Sequence, residues 1–469
     1  MRRTKIVCTL GPAVDGEEML RELMVRGMNV ARFNFSHGTH EEHKRRVDLL
    51  KRIRVELGLP MPLLLDTKGP EIRTGRFAGG TADLAEGSTF TIVHEDALGD
   101  ATHCSITYKE LPHDVVPGTR ILIADGLVEL DVTGVRGLDV VCTVKNGGTL
   151  GDQKGVNLPG LAVKLPALTQ KDLDDIAFGV ANGFDFIAAS FVRKAADILE
   201  IRRVLDRLGA PDIAIIAKIE NREGLRNFDE ILKVADGIMV ARGDLGIECP
   251  YEELPGIQRR IVQTCQRLGR PVIVATHMLE SMITSPAPTR AEVTDVANAV
   301  HEQADAIMPS GETSVGQHPL ACLAIMDRIA RRTEREPGAG MAAAAMADSD
   351  RAVLVRSACR MAEDLKAQAL VVFTRTGRMA RNAAWFRPRD IPIYAFTDNP
   401  VLLPQLVLHW GTLPLLMDFQ SGDPAANVEH AIRVLRERGL VTRGGYVVMA
   451  TEVRAGDELV NTVQMKQVG

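Results

Sequence analysis

The feature that most restricts this chain is a rhythm of short apolar runs, nearly all ending on a polar residue and most followed by a helical pattern. KIVCTL, NVARFNF and PLLLD come first, near Lys5, Asn29 and Pro62, with helix-like segments over residues 17–26 and 41–56. After a long interruption the rhythm resumes with FDFIAAS, IAIIAKIE, GIMVAR, PVIVAT and AIMPS, and helical patterns cover residues 195–208, 254–268 and 318–332. Apolar strands alternating with helices favour a parallel sheet covered by helices. Three runs before the interruption and five after it make eight, which within roughly 250 residues predicts a closed (β/α)8 or TIM barrel. A doubly wound open sheet is the alternative, but no strand–GxGxxG–helix occurs. Asn34, Asp66, Ser190, Lys218, Asp244, Thr276 and Ser310 all follow strand runs. A barrel gathers such positions at one mouth, whereas an open sheet spreads them along a crevice.

The interruption, residues 74–156, holds β-like runs such as STFTIV, TRILIAD and LVELDV between glycine-rich turns. It reads as a small inserted β domain, barrel-like and placed as a lid. The barrel then comprises residues 1–73 and 157–336. Residues 337–347, which include PGAGMAAAAM, read as a linker. Residues 348–469 form a C-terminal α/β unit, with strands expected near 370–374, 391–395, 413–417 and 446–451 and helices over 351–365, 400–409 and 426–438. A chain of 469 residues needs more than one core, and 45% hydrophobic with 25% charged residues is the composition of a folded globular protein. A net charge of −5 gives no general attraction to nucleic acid or anionic membrane, though it leaves room for a local basic pocket. The start MRRTKIVCTLGP has no long apolar core, no run is long enough to span a bilayer, and a cytoplasmic protein is expected. Seven widely spaced cysteines without CxxC argue against a disulfide scaffold or a thiolate metal cluster.

Chemistry concentrates in the stretch 217–246, which begins AKIEN and ends GIMVARGDLG. Lys218 and Glu220, two apart at a strand end, leave the same face, and Asp244 follows the next strand. Carboxylate oxygens suit a hard divalent ion and a lysine suits phosphate or a developing oxyanion; a solvated Lys–Glu pair is the plain alternative. On NVARFNFSHG, Arg32, Asn34 and Ser36 share a face, and a guanidinium there can clamp phosphate. Asn34 and Ser36 serve equally well as local turn formers. Asp66 and Thr67 end the third run, where a buried carboxylate needs compensating charge or donors, and Lys68, Glu71 and Arg73 follow at the entrance to the insertion. Thr276 can donate to a substrate carboxylate, Ser310 and Glu312 can join a proton or water network, and His277 is as readily a structural donor as an acid.

The ordered set ARFNFSHG, LLLDTKGPEIRTG, KGVNLPG, AKIEN, GIMVARGDLG, ATHMLESM, PTRAEVTDVANAV and SGETSVG resembles the pyruvate kinase family over almost the whole chain. The resemblance implies phosphoryl transfer from phosphoenolpyruvate to ADP, with Mg2+ or Mn2+ and K+ as cofactors, and a homotetramer. It makes Lys218 the residue that stabilises the transferring phosphoryl and the enolate oxygen, Arg32 a phosphate clamp, and Arg73 an arginine facing the nucleotide phosphates. Glu220 and Asp244 become the divalent-cation carboxylates; Asn34, Ser36, Asp66 and Thr67 the monovalent-cation site. Thr276 and the backbone of Ala241, Arg242, Gly243 and Asp244 become the substrate-carboxylate site. His37, Asn34 and Lys154, with Gly11 and Pro12 nearby, fall on the nucleotide side. Glu71 is the residue typical of potassium-dependent members. Three positions depart from the common pattern: His277 for glutamine, Pro309 for leucine and Val315 for lysine. FTRTGRMAR resembles the family's effector-phosphate loop, giving Thr374, Thr376, Gly377 and Arg378 as candidates for binding a sugar-phosphate or nucleotide effector. The glycine-rich pattern further on survives only as ATEVRAGDELVNTVQ, which speaks against fructose bisphosphate. Two other functions fit parts of the chain: a metal-dependent lyase acting on phosphoenolpyruvate or pyruvate, and a non-catalytic sugar-phosphate sensor.

Overall fold

The computed structural model describes residues 2–340, 345, 347–419, 424–455 and 458–469. Eight parallel strands close into a barrel: β1 (Lys5–Leu10), β2 (Val30–Asn34), β3 (Leu63–Asp66), β4 (Phe186–Ala189), β5 (Ala214–Ile219), β6 (Gly237–Ala241), β7 (Val272–Ala275) and β8 (Ala306–Met308). Each pairs with its sequence neighbour, and β8 returns to β1 through Lys5↔Ala306 and Ile6↔Ile307. The expected barrel is therefore the observed one. Helices Glu17–Arg26 and Leu254–Leu268 coincide with expectation, while His40–Leu57, Ala195–Arg207 and Pro319–Thr333 differ by a residue or so at their ends. The signals that start several helices are capping boxes, Thr39 with Glu42, Thr169 with Asp172 and Thr289 with Glu292.

Strand parity delivers the site. Outward residues such as Phe33, Leu65, Ala217 and Ile219 pack beneath the helices, and inward Val30, Leu64, Ala188 and Ile216 fill the barrel. Because side chains alternate, the inward set continues upward as Arg32, Asp66, Ser190 and Lys218 at the C-terminal ends of the strands. The register places Asn34 beside Asp66 and Lys218 beside Met239.

The segment after β3 forms a seven-stranded sheet, in order Ile72–Arg73, Gly155–Asn157, Arg120–Ile123, Val128–Arg136, Asp139–Asn146, Thr89–Val93 and His103–Ser105, with a two-stranded ribbon of Thr81–Leu84 and Gly148–Gly151. A bridge between Thr74 and Ile106 draws the two outer strands together, so the sheet curls toward a small barrel around Phe90, Ile121, Leu130 and Val140. The C-terminal unit has five strands rather than four, in order Thr412–Leu416, Ile393–Thr397, Ala369–Phe373, Tyr446–Ala455 and Glu458–Gln467. The fifth lies antiparallel to the fourth, and its polar alternation disguises it in the sequence. The helix expected over 400–409 is instead a turn at Leu402–Gln405 and a 3-10 turn at Leu406–Leu408; Pro404 lacks the N–H a longer helix needs. Of the linker reading, residues 341–344 and 346 lie outside the described residues, as do 456 and 457 of ATEVRAGDELVNTVQ. Among the described residues no helix is long and apolar enough to cross a membrane. All seven cysteines are buried and free.

Candidate active site

Lys218 is the hub. Its Nζ lies 2.8 Å from Glu220 Oε1, 3.0 Å from Asp66 Oδ1 and 2.8 Å from Ser190 Oγ. Burial alone lowers its pKa, but Asp66 and Glu220 overcome that and hold the ammonium above its ordinary value. Asp66, with no exposed surface, is tied on its other oxygen by Arg32 Nε at 2.6 Å. Burial acts to raise this carboxyl, yet Lys218 and Arg32 together leave it below the usual carboxylate range. Arg32 also donates to Thr9 Oγ1 at 2.9 Å, and Thr9 Oγ1 in turn donates to Pro309 O at 3.0 Å. Glu220 is 2 % exposed and accepts the Phe191 N–H at 2.6 Å, from a residue held at φ 54°.

Asp244 differs from its neighbours. Burial and the Glu220 carboxylate push it up to about 7, Asp125 and Glu71 add to the push, and Lys218 opposes it. Arg32 and Lys218 therefore face Asp66, Glu220 and Asp244, a local excess of negative charge. Among the described residues no three His, Cys, Asp or Glu side chains converge as a complete metal cage. Two carboxylates that leave coordination positions to a phosphate-bearing substrate are the usual Mg2+ arrangement, and the raised Asp244 shows a carboxylate short of positive charge. The residues fit a divalent cation.

Thr276 and His277 are consecutive non-glycine residues at φ 67° and 52°, a strain of about 1–3 kcal/mol each. The turn they form lets Thr276 Oγ1 accept the Gly243 N–H at 2.7 Å while donating to Ala275 O at 2.6 Å. Arg242, whose backbone the sequence groups with the substrate contacts, sends its side chain to the loop after β7. It donates to Thr276 O at 2.6 Å and Ala275 O at 3.2 Å and pairs with Asp295 at 2.7 Å, fastening the strained turn from behind. Only its backbone is left for substrate. Glu312 is fully buried and accepts the N–H groups of Leu279 and Ser310 at 2.9 and 2.6 Å, so it fixes the loops after β7 and β8. Among the described residues Ser310 Oγ is buried without a partner. His277 is exposed.

The monovalent-cation candidates gather on β2 and β3. Asn34 Oδ1 accepts the Ser36 N–H at 3.1 Å, and the Thr67 carbonyl accepts from Ser190 Oγ at 2.6 Å. Arg73 ends the strand that leaves the barrel for the insertion, and Lys154 immediately precedes the returning strand paired with it. They line a cleft of about 670 Å³ with Glu71, Asp125, Asn157 and Asp244. Arg73 pairs with Glu71 at 2.6 Å and donates to Gln153 O at 2.8 Å. His37 stands apart, exposed on the turn after β2.

Sequence reasoning gave Ser190 no role, although its hydroxyl links Lys218, Asp66 and Thr67. It missed Asp172 and Arg193 as well. Asp172, legible as the end of a capping box, accepts the Gly69 N–H at 2.9 Å. Gly69 has φ 73°, and a Cβ there would come within 2.9 Å of Ser190 Cβ and 2.8 Å of the Phe191 ring. Arg193 donates to the carbonyls of Val163 and Leu165, pinning the return from the insertion; nothing local in the sequence marks that reach.

A phosphate-handling barrel enzyme with a β insertion at its mouth is the class this fold and site define. The pyruvate kinase barrel-domain model matches residues 1–323, and the pyruvate kinase alpha/beta-domain model matches residues 352–465. The chain is 44% identical to a pyruvate kinase of Clostridium acetobutylicum over 97% of this chain and 96% of that protein. It is also 45% identical to one of Geobacillus stearothermophilus over 97% of this chain and 78% of that protein. The chain belongs to the pyruvate kinase family.

Proposed function

We infer that this protein transfers the phosphoryl group of phosphoenolpyruvate to ADP, giving pyruvate and ATP, the last step of glycolysis. The carrying observation is the buried Lys218 ammonium held among Asp66, Glu220 and Ser190 beside Arg32. Negative charge builds on the moving phosphoryl and on the departing enolate, and preorganised cations at that point stabilise both. Lys218 serves the phosphoryl and enolate oxygens, Arg32 clamps the phosphate, and Arg73 with Lys154 meets the nucleotide phosphates across the cleft. His37 and Asn34 belong to the nucleotide side. Thr276 and the backbone from Ala241 through Asp244 orient the substrate carboxylate. Glu220 and Asp244 would hold the divalent cation, which would supply electrostatic stabilisation of the charge that develops in transfer. Asn34, Ser36, Asp66 and Thr67 hold K+. The proton that completes pyruvate comes from solvent beside Thr276. Ser310, with its unpartnered hydroxyl, orients that water, and Glu312 positions the loops around it.

Residues 74–156 act as a lid on the barrel of residues 1–73 and 157–336. Residues 348–469, joined by 337–347, act as a regulatory unit. Thr374, Thr376, Gly377 and Arg378 offer an effector phosphate site: among the described residues Thr374 Oγ1 is buried without a partner, and Gly377 at φ 80° opens helix Arg378–Trp385. A homotetramer follows from the family. The test is a coupled assay with Mg2+ and K+ varied independently. Pyruvate formation should require ADP, divalent cation and, because Glu71 supplies no ammonium, K+. Pyruvate released without ADP would point to a lyase, and full turnover without monovalent cations would remove the K+ assignment.

A further inference from the structure

The turn after β2, residues 34–38, carries two of the oxygens assigned to K+, and a buried histidine fastens it from beneath. Asn34 and Ser36 are half-buried while Phe35 between them is 1 % exposed, so strand parity continues one step past the end of β2. The Phe35 N–H donates to Asp66 O at 2.9 Å, which ties the turn to β3. Beneath it, His43 lies one turn into helix His40–Leu57 and is buried. Its ring stacks on the Phe35 ring, centroids 4.2 Å apart and planes 20° from parallel. Its Nε2 lies 2.9 Å from His37 O. One side chain thus holds the turn at two points, the Phe35 ring and the His37 carbonyl. Gly38, at φ 77°, brings the chain down onto the helix, and a Cβ there would lie 2.9 Å from Glu42 Oε2 and 3.4 Å from His43 Nε2.

An imidazole is a costly choice for this place. A carbonyl oxygen only accepts, so Nε2 carries the hydrogen and Nδ1 is bare. Among the described residues Nδ1 is buried without a partner. The surroundings are aromatic: Phe33 meets the His43 ring edge-on, and Phe184 meets both Phe33 and Phe35. A phenyl ring would pack there without burying an unpaired nitrogen. What it could not supply is the N–H to His37 O. His40, one helical turn earlier, spends its ring differently: it stacks on Phe178 and places Nε2 2.7 Å from Asp175 Oδ1, joining two helices. We propose that His43 is a positioning residue for the monovalent-cation site, setting the turn where the oxygens of Asn34 and Ser36 converge with those of Asp66 and Thr67. An all-oxygen donor set of this kind suits a hard cation. The proposal rests on the reading that these four residues hold K+.

The test compares turnover and melting temperature of the full chain as K+ is titrated against tetramethylammonium at constant ionic strength. In the wild type both should rise with K+. His43→Phe keeps a stacked ring and loses the N–H, so its half-effective K+ concentration should rise about fivefold in both readouts, the scale of one neutral hydrogen bond, while turnover at saturating K+ falls by less. The amide nitrogen of His43→Gln reaches as far as Nε2 and should recover most of that loss; the amide of His43→Asn reaches only as far as Nδ1 and should not. His40→Phe should lower the melting temperature and leave both K+ concentrations where they were, as expected of a purely structural histidine. Should His43→Phe fail to fold, the Asn and Gln variants decide. A wild type that responds to K+ together with unshifted K+ concentrations in His43→Phe and His43→Asn would overturn the role of His43 and leave the K+ site standing. Equal losses in the Asn and Gln variants would also overturn it, since filling the space and not the bond would then matter. A wild type whose turnover and melting both ignore K+ would remove the K+ reading and the role of His43 with it.

Discussion

The two ends of the barrel both bury charge, and they do so to opposite effect. At the mouth, Arg32 and Lys218 are outnumbered by Asp66, Glu220 and Asp244, and Asp244 is left pushed up to about 7. At the base cations and carboxylates pair off, Arg2 with Asp327 at 2.7 Å and Arg3 with Glu334 at 3.4 Å. Arg387 pairs with Asp305 at 2.9 Å, Arg3 and Arg387 lie 5.2 and 4.9 Å from the Trp410 ring centroid, and Lys5 donates to Thr412 O at 2.6 Å. Buried charge by itself therefore does not mark a catalytic site. What sets the mouth apart is a surplus of carboxylate that opens on a cleft, where a cation can be received.

The same chemical change made at both ends tests this contrast. Lys218→Met removes the cation we assign to the developing charge, and turnover should fall by about 10³-fold with the circular dichroism spectrum retained, in line with loss of a central electrostatic donor. A variant keeping a tenth of wild-type turnover would break the assignment. Thr276→Ala should have a smaller effect, on the order of 10–100-fold, because it leaves the phosphoryl clamp intact and loses the Gly243 N–H contact and the water beside it. Solvent-proton exchange at the pyruvate methyl should fall in parallel; exchange at the wild-type rate would take Thr276 out of the proton route.

The barrel was legible because its signals are local and repeated. β3 is an apolar run that ends on Asp66, β5 is one that reaches Lys218 a residue before its end, and parity then sends Asp66 and Lys218 to one mouth. What stayed hidden depends on reach across the fold. Ser190 is an ordinary polar strand end until β3 and β5 bring Asp66 and Lys218 to its hydroxyl. Arg242 sits inside the most recognisable motif of the chain, yet its guanidinium serves the loop after β7, some thirty residues on. The fifth strand of the α/β unit was hidden for another reason: an edge strand exposes polar residues, and its pattern resembles a loop until the hairpin partner is known.

Lys5 supplies the matching change at the base and the smallest effect. Burial, with help from Arg2, pulls its pKa down to about 7 from 10.5, against the pull of Glu334 and Asp305. Between those values the unfolded chain holds a proton that the folded chain has given up, so this residue makes the protein more stable as pH rises, by about 1.4 kcal/mol per unit. Lys5→Met removes that dependence. Its stability relative to wild type should be greatest at pH 7 and below and should decline by roughly that increment per unit from pH 7 to 9, measured by urea unfolding. The lost bond to Thr412 O lowers the whole curve by about 1 kcal/mol without changing its slope. Turnover should stay within about twofold of wild type, because the Lys5 amine is spent on joining the barrel to the α/β unit. A flat stability difference would mean that Lys5 keeps its proton in the fold; a loss of turnover comparable to that of Lys218→Met would mean that the two ends do not act separately.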